Sequence, residues 1–254
     1  MALFTDGAIS GIEDLAAHDS QLLLVSNIEG IDISQKIALA QEALGMELRE
    51  MLSRLRFADQ TVWSMGMPDL GNVAVTPGLK LWHTYRALEK VYGDAYYNQS
   101  NDRYAAKRDQ FHQLAGRAQE HLIQTGVGMV GSPVPKAASP EVTAVAGGLP
   151  DGTYYVTTSW TNDAGEEGAS STPVVITLAA STLSVRAAAP PGTAAGWNIY
   201  AGGAPDAMAQ QNSAPLEIGS SWEAGTELLA TGRAPGAGQE PAYFQPAPRV
   251  IQRG

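Results

Sequence analysis

The sequence predicts an α+β protein in two domains, an N-terminal α-helical bundle followed by an antiparallel β-sandwich. Three observations carry this. Apolar residues recur at helical spacing up to about Gly126. The stretch Ser132–Pro140 (SPVPKAASP) is proline-rich punctuation. After it, short alternating runs rich in Val, Thr, Tyr and Trp are separated by Gly, Asn and Pro turns. The expected divisions are 1–136, helical; 137–232, β-sandwich; and 233–254, an extended Pro-rich arm.

Within the first division, a short helix is expected from about Gly11 to His18, with a further helical turn over Gln21 to Ile28. The first long helix runs from about Ile33 to Arg56. Asp32 and Gln35 form a capping-box pattern, and Ile31 is placed to staple the first turn. Its stripe is Ile37, Ala40, Leu44, Leu48, Met51 and Leu55, with Met46 and Met51 as core filler. Residues 57–75, with Trp63, Met65, Met67 and Pro68, form a long connection.

Thr76 and Pro77 open the next helix as cap and first residue. Its stripe is Leu81, Tyr85, Leu88 and Tyr92, and Gly93 weakens its end. Asn98 to Asn101 is a polar break. A further helix begins near Asp102, with Tyr104, Arg108, Phe111, Ala115, Ala118 and Leu122 on one side and Gly126 as its stop. Trp82, Tyr85, Tyr96, Tyr97 and Tyr104 crowd this region. Aromatics at helical spacing usually face a core. A subunit interface, where Tyr and Trp are enriched, is the sharper reading of these five.

Past Gly126, Val127, Met129 and Val134 read as a short edge strand. In the second division, Val142 to Ala146, Thr153 to Thr161, Pro173 to Leu178, Leu183 to Ala187, Trp197 to Ala201 and Leu216 to Trp222 read as strands, with a hairpin turn at Asn162 to Gly165. Short strands with turns every 8–12 residues point to an immunoglobulin-like or fibronectin type III-like sandwich. The phrases TYYVTTSWTNDAGEEG and GWNIYAGG resemble type III modules, with Trp160, Trp197 and Tyr200 as the matching core positions. In the tail, four prolines forbid a regular helix, yet Tyr243, Phe244, Val250 and Ile251 are apolar. An arm that adds a strand to a partner accounts for both features.

Composition excludes several functions. The absence of cysteine removes disulfides, thiol catalysis and Cys-based zinc sites. Net charge is −10, with 12 Lys and Arg against 16 Asp and Glu through residue 136, and 4 against 10 after it. Both divisions are acidic, which disfavours tight non-specific binding to nucleic acid. No apolar run approaches the ~20 residues of a membrane span, and the N-terminus lacks a signal-peptide pattern, so assembly in the cytoplasm is expected. His18, His83, His112 and His121 lack ligand spacing, and there is no nucleophile elbow or phosphate-binding loop. No enzyme activity, cofactor or metal is expected.

The string LEKVYGDAYYNQSNDRYAAKRDQFHQLAGRAQEHLIQTGVGMVGSPVPKA resembles the helical head-to-tail connector, or neck adaptor, proteins of tailed bacteriophages, and the resemblance covers about residues 1–136. It implies a structural virion protein. Such a subunit sits in a ring, a dodecamer matched to the portal protein, joins portal to tail or nozzle proteins, and continues a channel through which genomic DNA passes without sequence-specific binding. Assembly takes place in the host cytoplasm and the final location is the neck of the virion. The resemblance also implies a C-terminal arm on the portal, here Tyr243, Phe244, Arg249, Val250 and Ile251. The alternative is a binding module whose sandwich recognises carbohydrate or a host surface, with Trp222 and Tyr243 as candidate contacts.

Overall fold

The computed structural model describes residues 1–55, 69–99 and 102–246. The expected features at Trp63, Met65, Met67 and Pro68, at Asn101, and at Arg249, Val250 and Ile251 lie outside the described residues. The protein is α+β, with helices leading and antiparallel sheets following. It divides into two compact units: Gly7–Gly131 with Pro241–Gly254, and Met1–Asp6 with Ser132–Glu240.

The first unit holds five helices: α1 Ile12–His18, α2 Leu22–Glu29, α3 Ile33–Leu55, α4 Pro77–Gln99 and α5 Ala105–Thr125. Their ends follow from local chemistry. The Gly11 N–H donates to Asp14 Oδ2 (2.8 Å) ahead of α1. Gly30 closes α2 at φ 65°, a conformation that favours glycine. The Gln35 N–H donates to Asp32 Oδ1 (3.1 Å) at the start of α3. A 3-10 turn, Asp102–Tyr104, leads into α5, and Gly126 ends it at φ 96°.

Helix α4 is the centre of this unit and touches α1, α2, α3 and α5. Leu79, Trp82, Ala87, Leu88, Val91, Tyr92 and Ala95 are buried along it. Leu81 and Tyr85, expected in its stripe, are half-buried, and the helix continues through Gly93 to Gln99. The buried stripe of α3 is Ile33, Ile37, Ala40, Leu44, Leu48 and Leu52. The spacing from Leu48 is therefore four, and Leu52 takes the place expected of Met51, which is half-buried. The side chain of Leu55 lies outside the described residues. Met46, expected in the core, is 65% exposed. It sits two residues past Leu44, on the opposite side of the helix.

Strand β1, Val127–Met129, follows α5 directly. It is not an edge. On one side it pairs antiparallel with β9, Tyr243–Gln245. On the other, Ala74 N–H donates to Gly128 O (2.9 Å) and Val130 N–H to Asn72 O (2.8 Å). All three residues of β1 are buried. A Cβ at Gly128 would lie 2.7 Å from Thr76 and 2.9 Å from Pro241, so only glycine fits between the two flanking segments.

The second unit has two sheets. One is ordered β2 (Glu141–Ala146), β5 (Ser181–Arg186), β8 (Ser221–Glu223). The other is ordered β4 (Val174–Leu178), β3 (Gly152–Thr161), β6 (Gly196–Gly202), β7 (Ala209–Gln210). Side chains of both, including Val156, Trp160, Leu183, Val185, Trp197 and Ile199, form one buried cluster. The expected strand Leu216 to Trp222 is only partly one. Leu216 bridges Trp197, Ser220 N–H turns back to Glu217 O (3.1 Å), and only Ser221–Glu223 pairs with β5. The two-residue β7 is too short to leave an alternation in the sequence.

The corrected α3 register is measurable by urea unfolding. Leu52→Ala should destabilise the protein by about 2–5 kcal/mol, the cost of emptying a buried leucine site. Met46→Ala should stay within about 0.5 kcal/mol, as at an exposed position.

Candidate functional site

The outer sides of α3 and α4 form a groove. Helix α3 contributes a second stripe, Lys36, Leu39, Ala43 and Met46, turned away from its core stripe at spacings of three, four and three. Lys36, Leu39 and Ala43 line the groove with Lys90, Gly93 and Tyr97 of α4, and Arg108 of α5 stands beside Tyr97; its volume is about 410 Å³. Leu39 is exposed, and Tyr97 is 73% exposed. Gly93 sits mid-helix, and a Cβ there would meet nothing within 4 Å. A glycine in a helix interior costs about 1 kcal/mol relative to alanine. Packing within the chain does not require this one.

The groove walls are charged and mostly paired. Lys36 pairs with Asp94 across the helices. Arg86 joins Glu47 (2.6 Å) and Glu89 (3.2 Å), and His112 Nδ1 lies 2.7 Å from Glu89. The Arg108 guanidinium stacks over Tyr96 at 4.4 Å from the ring centre and bonds Asp109 at 2.8 Å. The lining carries Lys36, Arg86, Lys90 and Arg108 against Glu89 and Asp94. A cationic groove in a chain of net charge −10 is a local reversal of sign.

A second surface lies on α2. Leu22 and Val25 face the core, while Leu23, Leu24 and Ile28 are more than half exposed on the other side. Residues 1–35 hold Asp6, Glu13, Asp14, Asp19, Glu29 and Asp32 and no lysine or arginine. This apolar face therefore stands in acidic surroundings.

Two buried polar clusters fix the helices that carry these surfaces. His83 is wholly buried on α4; its Nδ1 lies 2.6 Å from Ser10 Oγ and its Nε2 3.1 Å from Ile37 O. A carbonyl only accepts, so Nε2 carries the proton and Nδ1 accepts from Ser10. Burial pushes the imidazole below its ordinary value, only partly opposed by the Ile37 hydrogen bond and the charge of Asp14. At the opposite end of α4, Asp19 accepts from Tyr92 OH (2.6 Å), Lys107 Nζ (3.1 Å) and the Gln21 N–H (3.0 Å). Burial alone would raise the Asp19 carboxyl. The hydrogen bonds from Tyr92, Gln21 and Lys107 outweigh it and leave the group below its ordinary value. Burial and the adjacent carboxylate push the Tyr92 phenol up.

In the second unit, Glu167 accepts from Ser159 and Arg233 and from Tyr200 OH (2.5 Å). Burial and Glu167 push Tyr200 up to about 12. This network fastens the segment around Arg233 over β6. The same segment is held by Gln210 N–H to Arg233 O (2.9 Å) and Ser170 N–H to Gly236 O (3.2 Å).

The residues expected at interfaces fall into different places. Trp82 and Tyr104 are enclosed in the helical core. Tyr85 and Tyr96 are half-buried against it. Tyr97 alone among these five faces outward, at the groove. Tyr243 and Phe244 lie on β9, both exposed, with Phe244 opposite Gly128. Trp222 packs half-buried against the β cluster. The groove and the α2 face were not singled out by the sequence reading. Their signals were present: α3 carries two apolar stripes, and Leu22–Leu23–Leu24 cannot all face inward from one helix. Among the described residues, no three His, Cys, Asp or Glu are grouped to hold a metal ion. No described helix is long and apolar enough to cross a membrane. No family model, curated protein or solved structure matches the chain.

The His83 cluster makes stability depend on pH in a defined direction. The unfolded imidazole protonates near 6.5, while the folded one is held below that value. Its contribution is present above about pH 6.5 and is lost as pH falls through that value toward the folded pKa. Chemical denaturation should show the stability advantage of wild type over His83→Gln shrinking between about pH 7.5 and 5.5. Ser10→Ala, which leaves Nδ1 without its donor, should cost about 1–3 kcal/mol at neutral pH.

Proposed function

We propose that this chain is a structural subunit of the neck of a tailed bacteriophage, a head-to-tail adaptor that joins a portal ring to the tail. The observation that carries this reading is where the resemblance falls. The string LEKVYGDAYYNQSNDRYAAKRDQFHQLAGRAQEHLIQTGVGMV spans the second half of α4, all of α5 and β1. That is the framework of the helical unit, not its periphery.

In this reading the helical unit forms the ring, in a dodecamer matched to the portal. The β unit is an immunoglobulin-like or fibronectin type III-like domain on the ring's exterior or tail side. The sheet order β4-β3-β6-β7 and the shared Trp160–Trp197 core support that assignment. The mechanism is assembly rather than catalysis: apolar helix faces are buried between copies, and the polar sites carry position, not chemistry. Acidic surfaces facing the channel repel phosphate, so DNA moves past without being held. Tyr243 and Phe244, exposed on β9, lead into the arm whose Arg249, Val250 and Ile251 reach the portal. The working location is the virion neck, after assembly in the host cytoplasm.

Cryo-electron microscopy of the full chain mixed with the portal of its phage tests this. The expected result is a twelve-fold ring of this chain on the portal's tail-side face, lost on deletion of residues 247–254. A portal left bare by saturating wild-type chain overturns the reading.

A further inference from the structure

The helical unit carries two unlike surfaces whose chemistry is complementary. One is the convex α2 face of Leu23, Leu24 and Ile28, in a stretch of 35 residues with six carboxylates and no lysine or arginine. The other is the α3–α4 groove, with Leu39, Ala43 and Tyr97 exposed between Lys36, Lys90 and Arg108. Gly93 opens the groove where a side chain would otherwise stand, and nothing in the chain occupies that space. A mid-helix glycine with no neighbour is explained by a close approach from outside.

We infer that the α2 face of one copy docks into the α3–α4 groove of a second copy. The occupant is a second copy because this chain itself supplies the matching apolar ridge with the opposite charge. A contact between two different surfaces of the same chain is head-to-tail, so each copy keeps one free surface and the array grows until it closes. The cationic rim of the groove steers the acidic α1–α2 segment toward it and discourages two grooves from meeting. Closure as a ring on a portal rests on the adaptor reading; the contact itself does not.

Complementation by paired variants of the full chain tests this. Gly93→Trp fills the groove and leaves α2 intact. Leu24→Lys puts a cation on the α2 face and leaves the groove intact. Both positions point to open space, and circular dichroism with thermal melting verifies that each variant folds. In sedimentation velocity, wild type should associate with rising concentration, and each variant should associate more weakly by about tenfold or more. An equimolar mixture of the two should form dimers, because each retains the surface the other lacks, and these dimers should weaken as salt rises.

Wild type that stays monomeric to millimolar concentration, variants that associate like wild type, or a mixture that yields no dimer each overturns the inference. Adding the portal separates the two proposals. If the complementation pattern holds and the portal stays bare, the adaptor reading fails and the contact stands. If both variants occupy the portal as wild type does, the contact fails and the adaptor reading stands.

Discussion

Helix α4 is enclosed over most of its circumference, so each polar group it turns inward must find its partner inside the protein. An unpaired buried donor or acceptor costs more than a typical hydrogen bond contributes. His83, Thr84 and Tyr92 are the groups at stake. Thr84 donates to Lys80 O within the helix (2.8 Å) and meets Ser10 (2.9 Å). His83 is spanned by Ser10 and by the Ile37 carbonyl of α3. Tyr92 is held by Asp19, which Lys107 of α5 also reaches. The segments before α1 and between α1 and α2, together with α3 and α5, are thus fixed to α4 by polar contacts as well as by burial. Those contacts set the rotation of each helix about its axis. Apolar packing alone tolerates many rotations.

That rotation decides which residues are left outside. With Leu44, Leu48 and Leu52 turned to α4, Leu39, Ala43 and Met46 have to face away. With Leu22 and Val25 inward, Leu23, Leu24 and Ile28 have to face out. The apolar surfaces of the helical unit are therefore consequences of how its core is oriented. The ion pairs Lys36–Asp94 and Arg86–Glu47 lie across α3 and α4 and hold the groove's width. Being partly exposed, they contribute little to overall stability. Their effect is on shape, since they place paired charges at the rim and leave the centre to Leu39, Gly93 and Tyr97.

Much of the fold was legible in the sequence because its elements are signalled locally. Asp32, Thr76, Gly126 and the Asn162 to Gly165 turn act within a few residues of themselves, and the helix and strand limits around them fall close to where expected. Leu52 against Met51 is a different case. Spacings of three and four are both helical, and only the direction of α4 chooses between them. Leu216 to Trp222 looked like one strand because alternation does not show where a chain turns; Leu216 and Trp222 pair with different sheets. The pairing of β1 with β9 joins residues more than a hundred positions apart, and no periodicity carries such information. The groove was missed for a related reason. An apolar residue at helical spacing reads as core until the direction of its neighbours is known, and Met46 shows the cost of that assumption.

The pairing of β9 with β1 also bears on how the protein is made. The helical unit consists of Gly7–Gly131 and Pro241–Gly254, so the last piece of it leaves the ribosome after the whole stretch from Ser132 to Glu240. The β unit in turn includes Met1–Asp6, which emerges first and waits for Ser132 onward. At about 5–20 residues per second, the interval between β1 and β9 is roughly 5–20 s. Throughout that time β1 has the Asn72–Ala74 segment on one side and an open backbone edge on the other. The exposed edge of a buried-type strand is a template for pairing with other chains. A nascent chain of this protein therefore passes through a defined interval of vulnerability, which ends only when its final residues close the edge.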